Sequence, residues 1–198
     1  MTAPVVGVLA LQGDVREHAR VLTGLGAEVV LVRRPEELAR VRGLVLPGGE
    51  SSVIDKLSRS FGMRDPIRSA IRGGMPVYGT CAGLILLADR LTNAIDGQQT
   101  FGGLDVTVER NAFGSQTESF EALLQVPAVG DPPVRATFIR APVVVATGPT
   151  VDVLARLDDG RIVAVRHGRV LATSFHPELN GDTRFHRLFL DTVGAAVS

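Results

Sequence analysis

Short apolar runs alternate with longer stretches in which apolar and charged residues recur at helical spacing. Residues 5–11, 28–32, 43–46 and 76–78 are mostly apolar on both faces and bounded by Gly, Pro or Asp, as expected of buried strands in a parallel sheet. Between them, 14–25 and 52–71 carry Val, Leu, Ile and Ala at helical spacing. This β-α-β-α rhythm predicts an α/β fold, a mostly parallel sheet with helices on both faces. Residues 91–103 are irregular and glycine-rich; after them the pattern becomes strands, at 104–110, 137–139, 143–146, 151–157, 162–166 and 170–174. The segment "RHGRV" predicts a hairpin with His167 and Gly168 at its turn, and 184–193 predicts a closing helix. No repeat or linker interrupts the pattern, so one domain over 1–198 is expected.

Composition narrows the function. A chain of 198 residues, 45% hydrophobic, can bury a full core without staples. Lys+Arg and Asp+Glu balance at 21 each, so no global field draws nucleic acid or an anionic membrane, and a small neutral or zwitterionic ligand fits better. The single cysteine cannot form an internal disulfide, which suits a reducing cytoplasm. The first residues carry no basic leader, and the run at 5–11 is too short for a signal or a membrane span.

That cysteine, Cys81, sits in "GTCAG" between Gly79 and Gly83, where an apolar run meets a helix start. Strand, sharp turn and helix make a nucleophile elbow with cysteine in place of serine, and the crowded turn needs small neighbours. A helix N-terminus and a nearby imidazolium would favour thiolate over thiol. The structural alternative is a buried cysteine acting as a small hydrophobe. Open α/β sheets, however, bind ligands at the carboxyl ends of their strands.

A cysteine nucleophile needs a base and the base an orienting partner. In "SFHPEL", Pro177 biases His176 to extended backbone, so His176 and Glu178 project to one side at the end of a strand. Glu178 can then fix the His176 tautomer while the other ring nitrogen takes the thiol proton. A solvated His-Pro-Glu turn is the plainer reading of this tripeptide alone. In "LPGGESS", Gly48, Gly49, Glu50 and Ser51 make a turn and helix cap. The glycine N–H groups could also face an oxyanion opposite the N–H of Ala82, the residue after the nucleophile.

Six segments in order, "ALQGDVREH", "LPGGESS", "GTCAGLILLA", "ERNAFG", "FIRAP" and "SFHPEL", resemble the glutaminase subunits of pyridoxal 5'-phosphate synthases. These belong to the triad class of glutamine amidotransferases. The elbow and His-Pro-Glu mark the wider class; "LQG…REH", "RNAFG" and "FIRAP" mark the vitamin B6 branch. The resemblance implies a three-layer, flavodoxin-like class I amidotransferase fold. It makes Cys81 the nucleophile, His176 the general acid and base, and Glu178 its orienting carboxylate. Glutamine would lie against Gly48, Gly49, Glu50 and Ser51, with Arg110, Ile139 and Arg140 completing the pocket. Gly48, Gly49 and Ala82 would form the oxyanion hole, and Gln12 and Gly13 an interface and activation loop. Ser115 departs from the family, where a basic residue is expected.

The implied reaction is hydrolysis of L-glutamine to glutamate and ammonia through a γ-glutamyl thioester, with no metal or organic cofactor. The ammonia would pass to a separate (β/α)8-barrel synthase subunit, which condenses it with ribose 5-phosphate and glyceraldehyde 3-phosphate. Relatives are poor glutaminases until that synthase docks, and a peptide flip at Gly48-Gly49 would complete the oxyanion hole. Two alternatives stand beside this reading: a glutaminase serving another synthase, such as that of histidine biosynthesis, and a doubly wound sensor with a reactive cysteine. The remaining histidines read plainly. His18 is expected on a solvated or partner-facing helix, His167 in a turn and His186 in the last helix without a sequence partner. "VLVRRPEEL" reads as solvated surface.

Overall fold

The structure, a computed structural model, describes residues 3–114 and 119–196. Ser115 lies outside them. The first half winds β1 (Val5–Leu9), α1 (Val15–Gly24), β2 (Glu28–Val32), α2 (Pro35–Leu38), β3 (Leu44–Leu46), α3 (Ser51–Ser60), α4 (Arg64–Arg72), β4 (Val77–Thr80) and α5 (Ala82–Leu87). The second half adds β5 (Ala88–Thr92), β6 (Leu104–Glu109), β7 (Ser119–Leu124), β8 (Val134–Ile139), β9 (Val143–Thr147), β10 (Asp152–Arg156), β11 (Ile162–His167), β12 (Val170–Thr173), α6 (Pro177–Asn180) and α7 (Arg184–Ala195).

The main sheet runs β2-β1-β3-β4-β12-β11-β9-β6-β5, with β10 paired to β11. From β2 to β12 all neighbours are parallel, and β12 returns from the far end of the chain to lie beside β4 in register Val170↔Val77 to Thr173↔Thr80. Beyond β12 the pairing turns antiparallel through β11, β9 and β6, with β5 and β6 parallel at the edge. β7 and β8 form a separate antiparallel ribbon.

Strand alternation builds the three layers. Val6, Val8, Val45 and Tyr78 face Leu22 of α1 and Phe185, Phe189 and Val193 of α7. Leu9, Leu44, Leu46 and Val77 face the other way, onto Leu38 of α2, Ile54 of α3, Ile67 and Ile71 of α4 and Leu84 to Leu87 of α5. Successive residues of one strand thus serve two cores, as the pleat requires. The ribbon β7–β8 packs Leu124, Val134, Ala136 and Phe138 into the α1/α7 core.

Several expectations need correction. The single helix expected over 52–71 is two, because Gly62 adopts φ +66° and ends α3 in a Schellman motif: Met63 N–H bonds Ser58 C=O at 2.7 Å and Gly62 N–H bonds Arg59 C=O at 3.2 Å. The β11–β12 hairpin turns at Gly168 and Arg169, with His167 paired to Val170 as the last strand residue. A two-residue turn with Gly at a positive-φ position matches the twist of the flanking strands. β5 and β7 were not expected: both are largely exposed, so neither carries a clear apolar period.

No helix of the described residues is long and apolar enough to cross a membrane.

Candidate active site

The loops that follow β1, β3, β4 and β12 meet above adjacent strand ends, beside the point where the chain turns from the β2 side of β1 to its β3 side. Each delivers one part of the site. After β4, Cys81 takes φ 49° and ψ −101°, outside the regions an L side chain favours. Its N–H bonds Thr173 C=O of the neighbouring strand at 2.8 Å, and its C=O accepts from Ile85 N–H at 3.3 Å. The turn is thus fixed at both ends, which sustains strain of about 1–3 kcal/mol.

The glycines around it are sterically required. A Cβ on Gly79 would lie 2.6 Å from the Gly83 carbonyl carbon, and one on Gly83 would lie 2.2 Å from Leu46 C=O of β3. Close approach of α5 to two strands therefore permits no side chain at either position.

β12 ends at Thr173, and the chain continues through His176 into the four-residue helix α6. His176 is the N-cap of α6 and Glu178 lies in its first turn. The pair is brought to one side by a helix start, not by strand alternation as expected. His176 Nδ1 donates to Glu178 Oε1 at 2.7 Å; a carboxylate only accepts, so this nitrogen carries the proton and Nε2 is left for Cys81. A second carboxylate, Asp14 Oδ2, lies 3.4 Å from the same nitrogen. Asp14 precedes α1 without capping it through its side chain, which leaves that carboxylate available to the site.

Burial works against a charged His176, but the Asp14 carboxylate, the Cys81 sulfur and the Glu178 carboxylate outweigh it and push its pKa up to about 12. Glu178 is raised, first by burial and against the pull of His176. At 2.7 Å and with its side chain wholly enclosed, Glu178 is the stronger partner of the two carboxylates by geometry.

The Gly48-Gly49 loop closes over this pair. A Cβ on Gly48 would meet His176 Cε1 at 2.4 Å and Asp14 Oδ2 at 2.7 Å. The Gly48 carbonyl accepts from Asp14 N–H at 3.1 Å, and Gln12 Oε1 accepts from Glu50 N–H at 2.9 Å. Gly13 at φ +104° lets the β1 loop touch this carbonyl, since a Cβ there would lie 1.8 Å from the Gly48 oxygen. Glu50 caps α3 by accepting from Ser52 N–H at 3.3 Å, and also accepts from Arg110 Nη2 at 3.1 Å.

Together these parts line a cavity of about 340 Å³. Of the expected residues, Gly49, Glu50, Ser51, Cys81, Arg110, Ile139, Arg140 and His176 line it. Gly48, Gln12, Gly13, Ala82 and Glu178 do not line it themselves, but each is next to or bonded to a residue that does. Asp14, Ile85 and Asn111 also line it and were not foreseen. Ile85, four residues after Cys81 on α5, could have been found from helical spacing; Asp14 and Asn111 carry no such signal. Cys81, Asn111 and Arg140 are three of the four non-glycine residues with positive φ among the described residues, so backbone strain is concentrated on this cavity.

Donor atoms of Asp14, His176 and Glu178 lie within 4.8 Å of one another. Since His176 Nδ1 and Glu178 Oε1 are already bonded to each other, a metal ion there would have to break the acid-base pair. The arrangement suits proton transfer beside a sulfur nucleophile.

His18 corrects a further expectation. It is wholly buried, not solvated, and bonds His186 Nε2 at 2.8 Å and Thr80 Oγ1 at 3.0 Å. His167 bonds Thr150 Oγ1 at 3.0 Å, far from the site in the fold.

Known proteins are similar to this chain in sequence and fold. The chain is 68% identical over 190 residues to the pyridoxal 5'-phosphate synthase subunit PdxT of Clavibacter michiganensis subsp. michiganensis, covering 96% of this chain and 91% of that one. It is 62% identical to the PdxT of Leifsonia xyli subsp. xyli, covering 98% of each. A crystal structure described as a glutamine amidotransferase superposes with a TM-score of 0.89 at 49% identity, over 96% of this chain and 98% of that one. PurLQS from Thermotoga maritima, at 19% identity and a TM-score of 0.67, shares the fold. The profile of the SNO glutamine amidotransferase family matches residues 8–195, and with a cysteine elbow, a histidine-carboxylate pair and a glycine loop converging on one cavity, the chain belongs to that family.

Proposed function

We propose that this chain, as one domain over 1–198, is the glutaminase subunit of a pyridoxal 5'-phosphate synthase, and that it hydrolyses L-glutamine to glutamate and ammonia. The observation that carries the reading is that Cys81 and His176 line one cavity and Glu178 is bonded to His176, in a chain 68% identical to a PdxT.

Cys81 sulfur attacks the side-chain amide carbon of glutamine. The C–N bond breaks as His176 gives a proton to the leaving nitrogen, and ammonia departs from a γ-glutamyl thioester. Water, deprotonated by His176, then adds to the thioester carbonyl, and the thiolate leaves with glutamate released. Glu178 holds the ring in the required tautomer and stabilises its charged form. Backbone N–H groups of Ala82 and of the Gly48-Gly49 loop stabilise the oxyanion. Glu50 and Asp14 offer acceptors for the substrate ammonium, and Arg110 and Arg140 offer donors for its carboxylate.

The ammonia goes to a (β/α)8-barrel synthase subunit supplied in trans, in the cytoplasm. Docking would act on the loop after β1. Gln12 and Asp14 both hold the Gly48–Glu50 segment, and turning the Gly48-Gly49 peptide would break the bond from Asp14 N–H to the Gly48 carbonyl. Free ammonia at neutral pH would mostly become ammonium, so direct transfer preserves its nucleophilicity.

The test is ammonia release from glutamine by the chain alone, with a synthase subunit, and with Cys81→Ala. Strong release in the mixture, lost in the variant, is the expected result. No release by wild type with a competent synthase overturns the glutaminase reading. Release equal with and without the synthase overturns activation by docking.

A further inference from the structure

Behind the site, on the side away from the cavity, lies a polar chain that the reaction above does not use. His18 of α1 and His186 of α7 are both wholly buried, and His18 Nδ1 is 2.8 Å from His186 Nε2. The other nitrogen of His18, Nε2, faces Thr80 Oγ1 at 3.0 Å and Glu178 Oε1 at 3.5 Å. Thr80 is the residue immediately before Cys81. The last helix and the first therefore reach both the triad carboxylate and the elbow through two imidazoles.

The proton positions follow from the partners. A carboxylate oxygen offers only lone pairs, so His18 Nε2 must carry hydrogen to face it without repulsion. His18 Nδ1 is then an acceptor, and His186 Nε2 must donate to it. That leaves His186 Nδ1 as a bare lone pair, and among the described residues this atom has no hydrogen-bond partner. The opposite tautomers would bury an orphan N–H at His186 Nδ1 and aim a lone pair at Glu178, two penalties at once. Both ends of the chain select the same arrangement: two neutral rings aligned head to tail, N–H ends toward the carboxylate.

Glu178 needs that support. Oε1 accepts from His176, while Oε2 has no hydrogen-bond partner among the described residues, and the side chain is wholly enclosed. A buried carboxylate with one hydrogen bond is costly to ionise. The groups acting on it are His176 from its own segment, Asp14 from the loop before α1, His18 from α1 and Tyr78 from β4; His186 of α7 acts through His18, with Asp182 beside it. Asp14 disfavours its charge, and Tyr78 stays neutral because burial raises it. His18 and His186 stay neutral too, since burial lowers both, His186 to about 4. Apart from His176 and the backbone N–H of Glu178 itself, His18 is the group that turns a hydrogen toward this carboxylate.

We propose that His18 and His186 form a neutral imidazole pair that keeps Glu178 ionised and in place, and anchors the Cys81 elbow through Thr80, as positioning residues outside the triad. Its effect on turnover rests on the glutaminase reading; its tautomers do not.

The test has two arms. Nitrogen-15 NMR of the histidine side chains in the wild-type chain should give His18 and His186 as Nε2–H tautomers that do not titrate between pH 8 and pH 5.5. An Nδ1–H form of either ring, or titration near pH 6.5, overturns the proposal whatever the enzyme does. In the second arm, turnover by His18→Leu and His186→Leu is measured with the synthase subunit present, from pH 6 to 8.5. Loss of the pair should raise the acid limb of kcat/KM by about one pH unit, a roughly tenfold loss at pH 6 against less than threefold at pH 8.5. His186→Gln, which keeps an N–H for His18, should recover most of it. A loss equal at every pH, or no recovery with glutamine at 186, makes the pair merely structural and overturns the proposal. If wild type itself turns over no glutamine, the glutaminase reading fails, while the NMR arm still decides the tautomers.

Discussion

Two carboxylates approach the same nitrogen of His176 from opposite surroundings. Glu178 comes from inside, at 2.7 Å with its side chain 0% exposed; Asp14 comes from the cavity side, at 3.4 Å and 35% exposed. Inside, little water screens the interaction, so it is strong, but ionising the acid there is expensive and requires further support. At the cavity wall water makes ionisation cheap and weakens the attraction in the same measure. A histidine can thus draw orientation from the enclosed acid and a modest extra field from the wet one. Among the described residues, the histidine pair behind Glu178 has no counterpart behind Asp14.

The comparison predicts unequal losses. Glu178→Gln should lower turnover about a thousandfold to ten-thousandfold, the scale seen when an orienting carboxylate is replaced by an amide. Asp14→Asn, measured in the same assay, should cost less than about tenfold; equal losses would break the distinction.

Gly48→Ala tests how closely the ring is held. The added methyl would meet His176 and Asp14, and displacing the ring by about an ångström should cost on the order of a hundredfold in kcat/KM. If Asp14→Ala, by freeing space beside it, recovers part of that loss, Asp14 is a contact that can yield where Glu178 cannot.

The buried pair also predicts acid lability. His186 has a folded pKa of about 4 against an ordinary value near 6.5, so the unfolded chain binds more protons in that window. Its stabilising contribution is complete above pH 6.5 and declines as pH falls toward 4, by about 1.4 kcal/mol per pH unit. Urea unfolding of wild type between pH 7 and 4.5 should show a slope to which His18, also lowered by burial, adds in the same direction; His186→Leu should reduce that slope without abolishing it. His176 acts oppositely: its raised pKa stabilises the fold most below pH 6.5, and that contribution is lost only as pH rises toward about 12.

The smallest effect concerns screening. Because Asp14 is partly in water, the difference between wild type and Asp14→Asn should shrink as salt rises from 0.05 to about 0.5 M, while that of Glu178→Gln should not. Steady-state turnover across that range would detect a change of a few fold.

Where the chemistry depends on neighbours in sequence, it was legible. Gly79 and Gly83 announce the elbow because the tight turn leaves no room for a side chain at the second residue on either side of Cys81. Pro177 announces a chain exit that brings His176 and Glu178 together. The parallel core was legible because strands buried on both faces are apolar at every position, as in β3. Half-exposed β7 and the edge strand β5 were not, because solvent accepts almost any residue on their outer faces. The stop between α3 and α4 was missed because the Gly62 signal sits within an otherwise helical pattern.

His18 shows the limit most plainly. By sequence it is a polar residue on an amphipathic helix; its partners lie 62 and 168 residues away. The sequence by itself determined the α/β winding, the elbow and the local His176-Glu178 pair, because short-range sterics and periodic burial act along the chain. Only the tertiary structure decided that Asp14 reaches the outer side of His176, that His18 and His186 lie behind Glu178, and that Asn111 lines the cavity. Those contacts are made by packing the ends of distant strands and helices together, and residue spacing carries no trace of which buried polar groups will then face one another.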